Sequence, residues 1–183
     1  LRTVAVSLYK CATDLRWMGS GPRTGLAEIR IPDLQPGSSI MPGKVNPVLP
    51  EAVCQVVSQV VGNDAAVAFG GAAGNFELNV MLPVIARNLL ESIRLLSSTA
   101  RAFAEKCVEG IEANEEGCHQ SAESTLAAAT ALNPYVGYDK ATEIVKEAAS
   151  SGRLLREVAA EMGVDEETYN KAMDLREMAR GNT

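Results

Sequence analysis

Apolar side chains recur at helical spacing along most of this chain. The first eighteen residues repeat them every three or four positions, and a cluster of glycine and proline at 19–25 ends the pattern. The same spacing returns at 76–113, where it would extend a helix over about 55 Å. Pro83 predicts a kink or a break near the start of that segment. The pattern as a whole predicts an all-α protein.

The segment 51–63 is ambiguous by composition. Its valines favour a strand, whereas its length and its lack of alternation favour a helix. Glu51 directly after Pro50 suits a helix N-terminus, so we predict a helix. Only three residues in 45–86 carry a formal charge, so this helix would be apolar nearly all round. A domain of this size has little interior for such a helix, and we therefore predict burial between subunits of an obligate oligomer.

Short amphipathic segments follow toward the C-terminal end of the sequence. Gly152 and Gly163 each close one of them, as expected for a glycine just past a helix. Asp165 then has the character of an N-cap. Val164 and Tyr169 flank it at the positions of a hydrophobic staple.

The composition of the sequence changes after residue 132, where a predicted helix at 121–132 ends at an Asn-Pro pair. Beyond this point the chain carries far more charge per residue than the apolar stretch before it. We predict two domains: 1–132, part of a helical bundle with a loop at 35–47, and 133–183, a small helical domain.

Composition narrows the classes of partner. Hydrophobic residues make up 46% of the 183 residues, and the net charge is −6. A negative chain disfavours nucleic acid and anionic membranes as partners. No apolar stretch predicts a transmembrane span or a signal peptide. The sequence begins without Met, inside a stretch of apolar residues at helical spacing, so we expect a fragment or a processed product. We expect the protein to be in the cytoplasm.

The cysteines predict neither a metal site nor a disulfide framework. Cys11, Cys54, Cys107 and Cys118 form no C-x-x-C pair, and His119 is the single histidine of the chain. This set does not match a usual zinc site. Reduced thiols in a cytosolic compartment are the prediction.

The loop 35–47, QPGSSIMPGKVNP, interrupts the helical pattern with three prolines and two glycines. It is not a phosphate-binding P-loop. Five residues rather than four separate Gly37 from Gly43, and Val45 follows the lysine where that motif requires Ser or Thr.

Lys44 and Asn46 are the candidate binding residues of this loop. An ammonium group and a side-chain amide can together hold a carboxylate, and serines on a glycine-hinged loop can close over a ligand. A solvated turn with a surface lysine has the same composition. Residue types alone leave both interpretations open.

The segment GSSIMPGKVNP resembles the signature G-S-S-x-M-P-x-K-x-N-P of the fumarase/aspartase superfamily and matches it at every fixed position. GNDAAVAFGGAAGNFELNVMLPVIARNLLESIRLL is similar to class II fumarases, and LNPYVGYDKATEIVKEA resembles the C-terminal domain of fumarases and aspartases. On these motifs the chain is identified as a member, corresponding to the C-terminal part of the subunit. MPGKVNP and GNFELNV favour class II fumarases over aspartases.

The resemblance implies a fold and an activity. The fold is a long-helix bundle at the core of a homotetramer, with a small C-terminal helical domain. The activity is reversible hydration of fumarate to (S)-malate in the tricarboxylic acid cycle. It proceeds by anti addition and elimination through an aci-carboxylate intermediate, and the resemblance implies no metal or other cofactor. The implied partner is a small dicarboxylate.

The resemblance also implies roles for individual residues. Ser38 is the base that removes the C3 proton, and Glu51 pairs with a histidine from another segment and tunes it for proton transfer. The implied substrate-binding residues are Ser39, Lys44, Val45 and Asn46.

His119 does not match that catalytic histidine, so the chain would carry one of three site segments and be inactive alone. The alternatives are an aspartate ammonia-lyase, a non-catalytic helical assembly fragment and a dicarboxylate-binding module without turnover.

Overall fold

The computed structural model describes residues 1–35, 37 and 40–180, and the fold there is almost entirely helical, which confirms the predicted all-α class. The helices are α1 Arg2–Met18, α2 Val48–Ala72, α3 Leu82–Lys106, α4 Glu115–Ser124, α5 Asn133–Val136, α6 Tyr138–Ser151, α7 Leu155–Glu161, α8 Glu166–Ala172 and α9 Leu175–Arg180. Short 3₁₀ helices cover Val108–Gly110 and Ala127–Leu132, and two strands, β1 Ile29–Arg30 and β2 Glu112–Ala113, pair antiparallel.

The chain divides into two compact units, Leu1–Asn114 and a second that begins at Glu115. This division comes earlier in the chain than the domain boundary that we predicted after residue 132 from the change in composition. The reason is packing, because Ala129 and Leu132 are buried in the core of the second unit.

The first unit is built on an antiparallel pair of helices, α2 and α3, with α1 packed against α2. The segment that was ambiguous by composition is helical, as predicted. Its valines Val53, Val57 and Val60 recur three and four positions apart and are all buried, so branched side chains make the buried stripe of α2. Phe103 and Leu96 of α3 belong to the same core.

A buried polar contact fixes the pairing of α2 with α3. The Asn63 side-chain amide donates to Ser92 Oγ at 3.1 Å, and Gln59 Nε2 donates to Asn63 Oδ1 at 2.8 Å. Nearer the hairpin turn, a Cβ added to Gly70 would lie 3.0 Å from Ile85 Cγ1, so this glycine lets the two helices approach closely. Sliding one helix along the other would take Ser92 away from the buried Asn63 Nδ2, and a buried donor without a partner is costly.

The helix predicted over 76–113 is shorter than expected, since α3 occupies Leu82–Lys106. Pro83 lies in its first turn, where a missing N–H is tolerated. Before it, Asn79 makes the turn with its side chain: Nδ2 donates to the Gly70 carbonyl at 3.0 Å, and Oδ1 accepts from Met81 N at 2.8 Å. Helical spacing of apolar residues therefore continued past both ends of the helix itself.

The two-stranded ribbon was not predicted, because strands of two residues are too short to show alternation. Ile29 faces Ala113, and Arg30 faces Glu112. Asn114 extends the pairing: its backbone N–H donates to the Glu28 carbonyl at 2.9 Å, and its Nδ2 donates to the Ala27 carbonyl at 2.6 Å.

The second unit confirms the predicted helix ends. Gly152 and Gly163 have φ of +69° and +79°, the left-handed region that glycine adopts without strain. Asp165 caps α8, accepting the Thr168 N–H at 2.8 Å. Val164 and Tyr169, the predicted staple, are both buried in one core.

The prediction of one helix over 121–132 is wrong. The α4 helix begins at Glu115 and ends at Ser124, and a 3₁₀ helix follows from Ala127. Side chains at the junction compete for the backbone: Ser124 Oγ donates to the Gln120 carbonyl, and Thr125 Oγ1 accepts the Ala127 N–H.

Much of the apolar surface of α2 and α3 is uncovered within this chain. Phe69 is 76% exposed, and Leu82 and Leu90 are more than half exposed. By length and composition α2 could also cross a membrane, and 22% of its most apolar window is buried. The sequence predicted no membrane span, and this criterion is weak evidence for one, because core helices of soluble proteins also satisfy it.

We predict that Ile144→Ala destabilises the second unit by about 2–5 kcal/mol, because it removes a fully buried side chain from a packed core. Urea unfolding, followed by hydrogen exchange of α6 amides, measures the change. Leu154→Ala is the matched control, since Leu154 is 43% exposed and its loss should change stability by less than about 0.5 kcal/mol. Equal effects of the two substitutions would contradict the packing.

Candidate functional site

The candidate site is the loop at 35–47 together with the first turn of α2. Two of its predicted residues, Ser38 and Ser39, lie outside the described residues. The structure therefore bears on Lys44, Val45, Asn46 and Glu51.

The described part of the loop is held by a close contact between its two ends. A Cβ added to Gly37 would lie 1.9 Å from the Lys44 carbonyl oxygen, so only glycine fits there. Asn46 Nδ2 donates to the Gly37 carbonyl at 2.9 Å. Gly43, with φ of +76°, turns the chain immediately before Lys44. The chain at Gly37 therefore lies directly against the chain at Lys44 and Asn46.

Lys44 is exposed and lines a cavity of about 730 Å³. Val45 and Asn46 line the same cavity, so the structure brings these three predicted residues together. Among the described residues no carboxylate lies within 4.0 Å of the Lys44 ammonium. An ammonium group without a carboxylate partner is available to an anionic ligand.

Glu51 lies one turn beyond the loop, in the first turn of α2. Its backbone N–H donates to the Pro47 carbonyl at 3.0 Å, which joins the helix start to the loop end. A carboxylate here is favourable because backbone N–H groups at a helix N-terminus are unpaired. Glu51 lines a second cavity of about 350 Å³, to which Val45 and Pro47 also contribute.

Arg16 is the ion-pair partner of Glu51, and the sequence did not indicate it. Its Nη2 lies 3.9 Å from Glu51 Oε1, and both side chains are about 40% exposed. A pair of this length and exposure contributes little to stability. The spacing of thirty-five positions between the two residues gave no signal, since only the packing of α1 on α2 brings them together.

Arg30 is a second residue that the sequence did not indicate. It projects from β1 and lines the same cavity as Lys44. The signal that could have identified it is weak: it is the nearest basic residue before the loop.

Other reactive side chains do not form a site within the described ranges. His119 is exposed on α4 in the second unit. No group of three or more His, Cys, Asp or Glu side chains in the described part of the chain could hold a metal ion. Burial raises the pKa of the Cys107 thiol, so this cysteine is protonated and unreactive near neutral pH.

Two family models match the chain. One described as lyase matches residues 1–62, and one described as the fumarase C C-terminus matches residues 129–180. The fumarate hydratase class II of Mycobacterium tuberculosis is 57% identical over 164 residues, covering 90% of this chain and 35% of that protein. The enzyme of the same name from Corynebacterium efficiens is 56% identical over 185 residues, covering 98% of this chain and 39% of that protein.

Solved structures agree with these matches. A fumarate lyase:delta crystallin from Brucella melitensis, bound to cobalt, superimposes with a TM-score of 0.89 at 51% identity, covering 97% of this chain and 39% of that one. A recombinant class II fumarase from Schistosoma mansoni gives 0.90 at 37% identity, covering 97% and 37%.

The chain therefore spans between a third and two fifths of the length of the relatives that it matches. The first family model includes the loop at 35–47, and the alignment with the Corynebacterium enzyme covers 98% of the chain, including the stretch between the two models. The chain belongs to the class II fumarate hydratase family, corresponding to the C-terminal portion of its members.

Proposed function

We propose that this chain is the loop-bearing part of a fumarate hydratase, which adds water reversibly across the double bond of fumarate to give (S)-malate. The observation that carries the proposal is Lys44, an exposed cation without a carboxylate partner among the described residues. It stands in a loop that Gly37 and Asn46 close on itself. Membership of the class II fumarate hydratase family supports a dicarboxylate as the ligand of that loop.

In the direction of elimination, Ser38 removes the proton from C3 of malate. The electron pair left behind spreads onto the adjoining carboxylate, which becomes a dianionic aci-carboxylate. When this pair forms the double bond between C2 and C3, the hydroxyl group leaves C2 as water, with a proton from the histidine that pairs with Glu51. A serine hydroxyl is a weak acid, so it acts as a base only where cations and N–H donors stabilise its alkoxide. Lys44 supplies a positive charge both for that alkoxide and for the developing dianion.

The remaining proposed residues hold the substrate or the proton donor. Ser39, Asn46 and the Val45 backbone bind a substrate carboxylate beside Lys44. Glu51 pairs with a histidine from a segment outside this chain and sets that histidine for proton transfer. The long contact from Arg16 to Glu51 leaves the carboxylate accessible to such a partner.

We further propose that the functional assembly is a cytoplasmic homotetramer whose core contains α2 and α3. The support is the uncovered apolar surface of these helices, including Phe69 on α2 and Leu90 on α3. Covering such surfaces in an assembly releases water and stabilises it by roughly 25 cal/mol for each Å² of apolar area. An oligomer core also explains why a helix as apolar as α2 belongs to a soluble assembly.

The activity can be tested in a chimera. We expect that replacing the corresponding stretch of the Mycobacterium tuberculosis fumarate hydratase by this chain yields an enzyme that removes the ultraviolet absorbance of fumarate. Ser38→Ala should lower kcat on the order of 100-fold, since a positioned base contributes that much. Lys44→Met should raise KM and lower kcat, whereas Lys146→Met, at an exposed lysine of α6, should change neither.

Two outcomes contradict this assignment. Product formation from fumarate only in the presence of ammonium would make the chimera an aspartate ammonia-lyase. Loss of less than about tenfold in kcat on Ser38→Ala would remove Ser38 as the base. The 183-residue chain alone is expected to show no turnover, and measurable loss of fumarate absorbance with it would overturn the division of the site among segments.

The closed loop can be tested through Gly37. The Gly37→Ala methyl group would stand 1.9 Å from the Lys44 carbonyl oxygen, whereas an ordinary contact begins near 3.4 Å, so the chain must shift by about 1.5 Å. We expect kcat/KM of the chimera to fall on the order of 100-fold, the cost of a misplacement of that size. Ser150→Ala, at an exposed position of α6 in the second unit, is the control and should leave kcat/KM unchanged.

The assembly can be tested by sedimentation of the isolated chain. We expect a tetramer that Phe69→Lys dissociates, because a charge would be buried in the apolar core. Leu154→Lys, at a 43% exposed position of the second unit, should leave the assembly intact. A monomeric native chain, or one that sediments with phospholipid vesicles, would contradict the proposed core.

A further inference from the structure

Arg16 and Glu51 line one cavity of about 350 Å³ beside the end of the loop. Its walls are the C-terminal part of α1 with the residues after it, Val45 and Pro47, and the first turn of α2. Arg16 and Glu51 are the charged residues of its described lining. A cavity of this volume has room for an imidazole ring beside the ion pair.

The backbone is fixed on both sides of this ion pair. After α1, Ser20 Oγ donates to the Trp17 carbonyl at 2.6 Å and accepts the Leu26 N–H at 3.1 Å, so the turn that follows Arg16 is closed by hydrogen bonds. On the other side, the Glu51 N–H donates to the Pro47 carbonyl at 3.0 Å. The packing of α1 on α2 therefore keeps the guanidinium near Glu51 when another side chain enters the cavity.

Arg16 is the cation within 4.0 Å of Glu51 among the residues that the structure describes. The neighbouring elements carry other titratable groups, and none of these lines the cavity. They are Lys10 and Asp14 of α1, Arg23 and Glu28 after it, Lys44 of the loop, Cys54 of α2, and Glu105, Lys106 and Cys107 at the end of α3.

We propose that Arg16 is a positioning residue of the catalytic site: it holds the Glu51 carboxylate in this cavity, and its charge limits the proton affinity of the histidine that pairs with Glu51. The inference rests on the proposed function, which supplies that histidine from a segment outside this chain. Arg16 does not line the cavity of Lys44, so it acts through Glu51 and not on the substrate.

The sign of the effect follows from the charges. A carboxylate stabilises a protonated imidazole, whereas a guanidinium beside the same carboxylate repels it. With Arg16 present, the histidine gives up its proton more readily than it would beside an isolated Glu51. Loss of Arg16 should therefore move the protonation of the histidine to higher pH.

The first test uses free imidazole as the probe and the isolated 183-residue chain. Trp17, the single tryptophan, lines the same cavity, so its fluorescence follows binding there. The titration is made at low ionic strength and pH 5.5, where imidazole is mostly protonated. We expect Arg16→Gln to bind the imidazolium about threefold more tightly than the native chain, because the repelling charge is gone. Glu51→Gln should abolish saturable binding.

Matched controls separate this effect from a general loss of charge. Lys10→Gln removes a positive charge that pairs with Asp14 on the same helix but lies outside the cavity, and it should bind imidazolium like the native chain. In 1 M sodium chloride the affinities of the native chain and Arg16→Gln should converge, because screening then acts over about 3 Å. Circular dichroism of the variants should match the native chain, since both side chains are exposed.

The second test is the pH dependence of kcat/KM in the chimera. The histidine must be protonated for malate dehydration and unprotonated for fumarate hydration. Arg16→Gln should move the basic limb of dehydration and the acidic limb of hydration upward by about 0.5 pH unit, which equals the threefold change in affinity. Arg16→Lys should restore both limbs, and the KM for fumarate should stay within about twofold.

The inference is overturned if Arg16→Gln binds imidazolium no more tightly than the native chain, or if Lys10→Gln has the same effect. A raised KM with unmoved limbs would make Arg16 a substrate contact instead. A chimera that hydrates fumarate with unmoved limbs retains the proposed function and removes this role of Arg16. A chimera without turnover refutes the proposed function, and the imidazole titration still decides whether Arg16 opposes a cation at Glu51.

Discussion

The antiparallel packing of α2 against α3 is the constraint on which the first unit depends. Its polar element, the hydrogen bond from Asn63 to Ser92, sets the register of the two helices, because a buried amide without partners is costly. Register in turn fixes both ends of α2. At one end Gly70 allows the close approach to Ile85, and at the other Glu51 starts the helix beside the loop. The candidate site thus inherits its position from a contact far along the helix.

The sequence could predict a helix wherever the periodicity of apolar residues agrees with the residues that begin or end helices. Gly152, Gly163 and Asp165 end or begin helices where their conformational preferences require it, and the structure has them in those roles. Apolar spacing alone was less reliable. It ran past both ends of α3, because apolar residues at helical spacing continue into the flanking turns, where Phe76 and Leu78 are exposed and Cys107 is buried. It also missed the interruption after Ser124, where hydroxyl side chains compete for backbone hydrogen bonds.

The candidate site was only partly predictable for a different reason. Lys44, Val45 and Asn46 are neighbours in sequence, so a loop motif can bring them together, and the structure places them at one cavity. Arg16 and Arg30 reach the site through the packing of α1 and the pairing of β1 with β2. Those contacts join residues far apart in sequence and leave no local signature. Net charge gives no information about such a local site: in a chain of −6, the charged residues that line this cavity among those described are Arg30 and Lys44.

The pairing of Arg16 with Glu51 shows how a charged side chain can be held in position and still be available to another partner. Arg16 lies in the last turn of α1, and Glu51 in the first turn of α2, so each charge is favourable to its own helix end. Their mutual contact at 3.9 Å between half-exposed groups adds little to that. Because each residue is already favoured where it stands, Glu51 can exchange Arg16 for a closer partner at small cost. The same reasoning applies to the loop, where glycine contacts, rather than ion pairs, keep Lys44 available to a ligand.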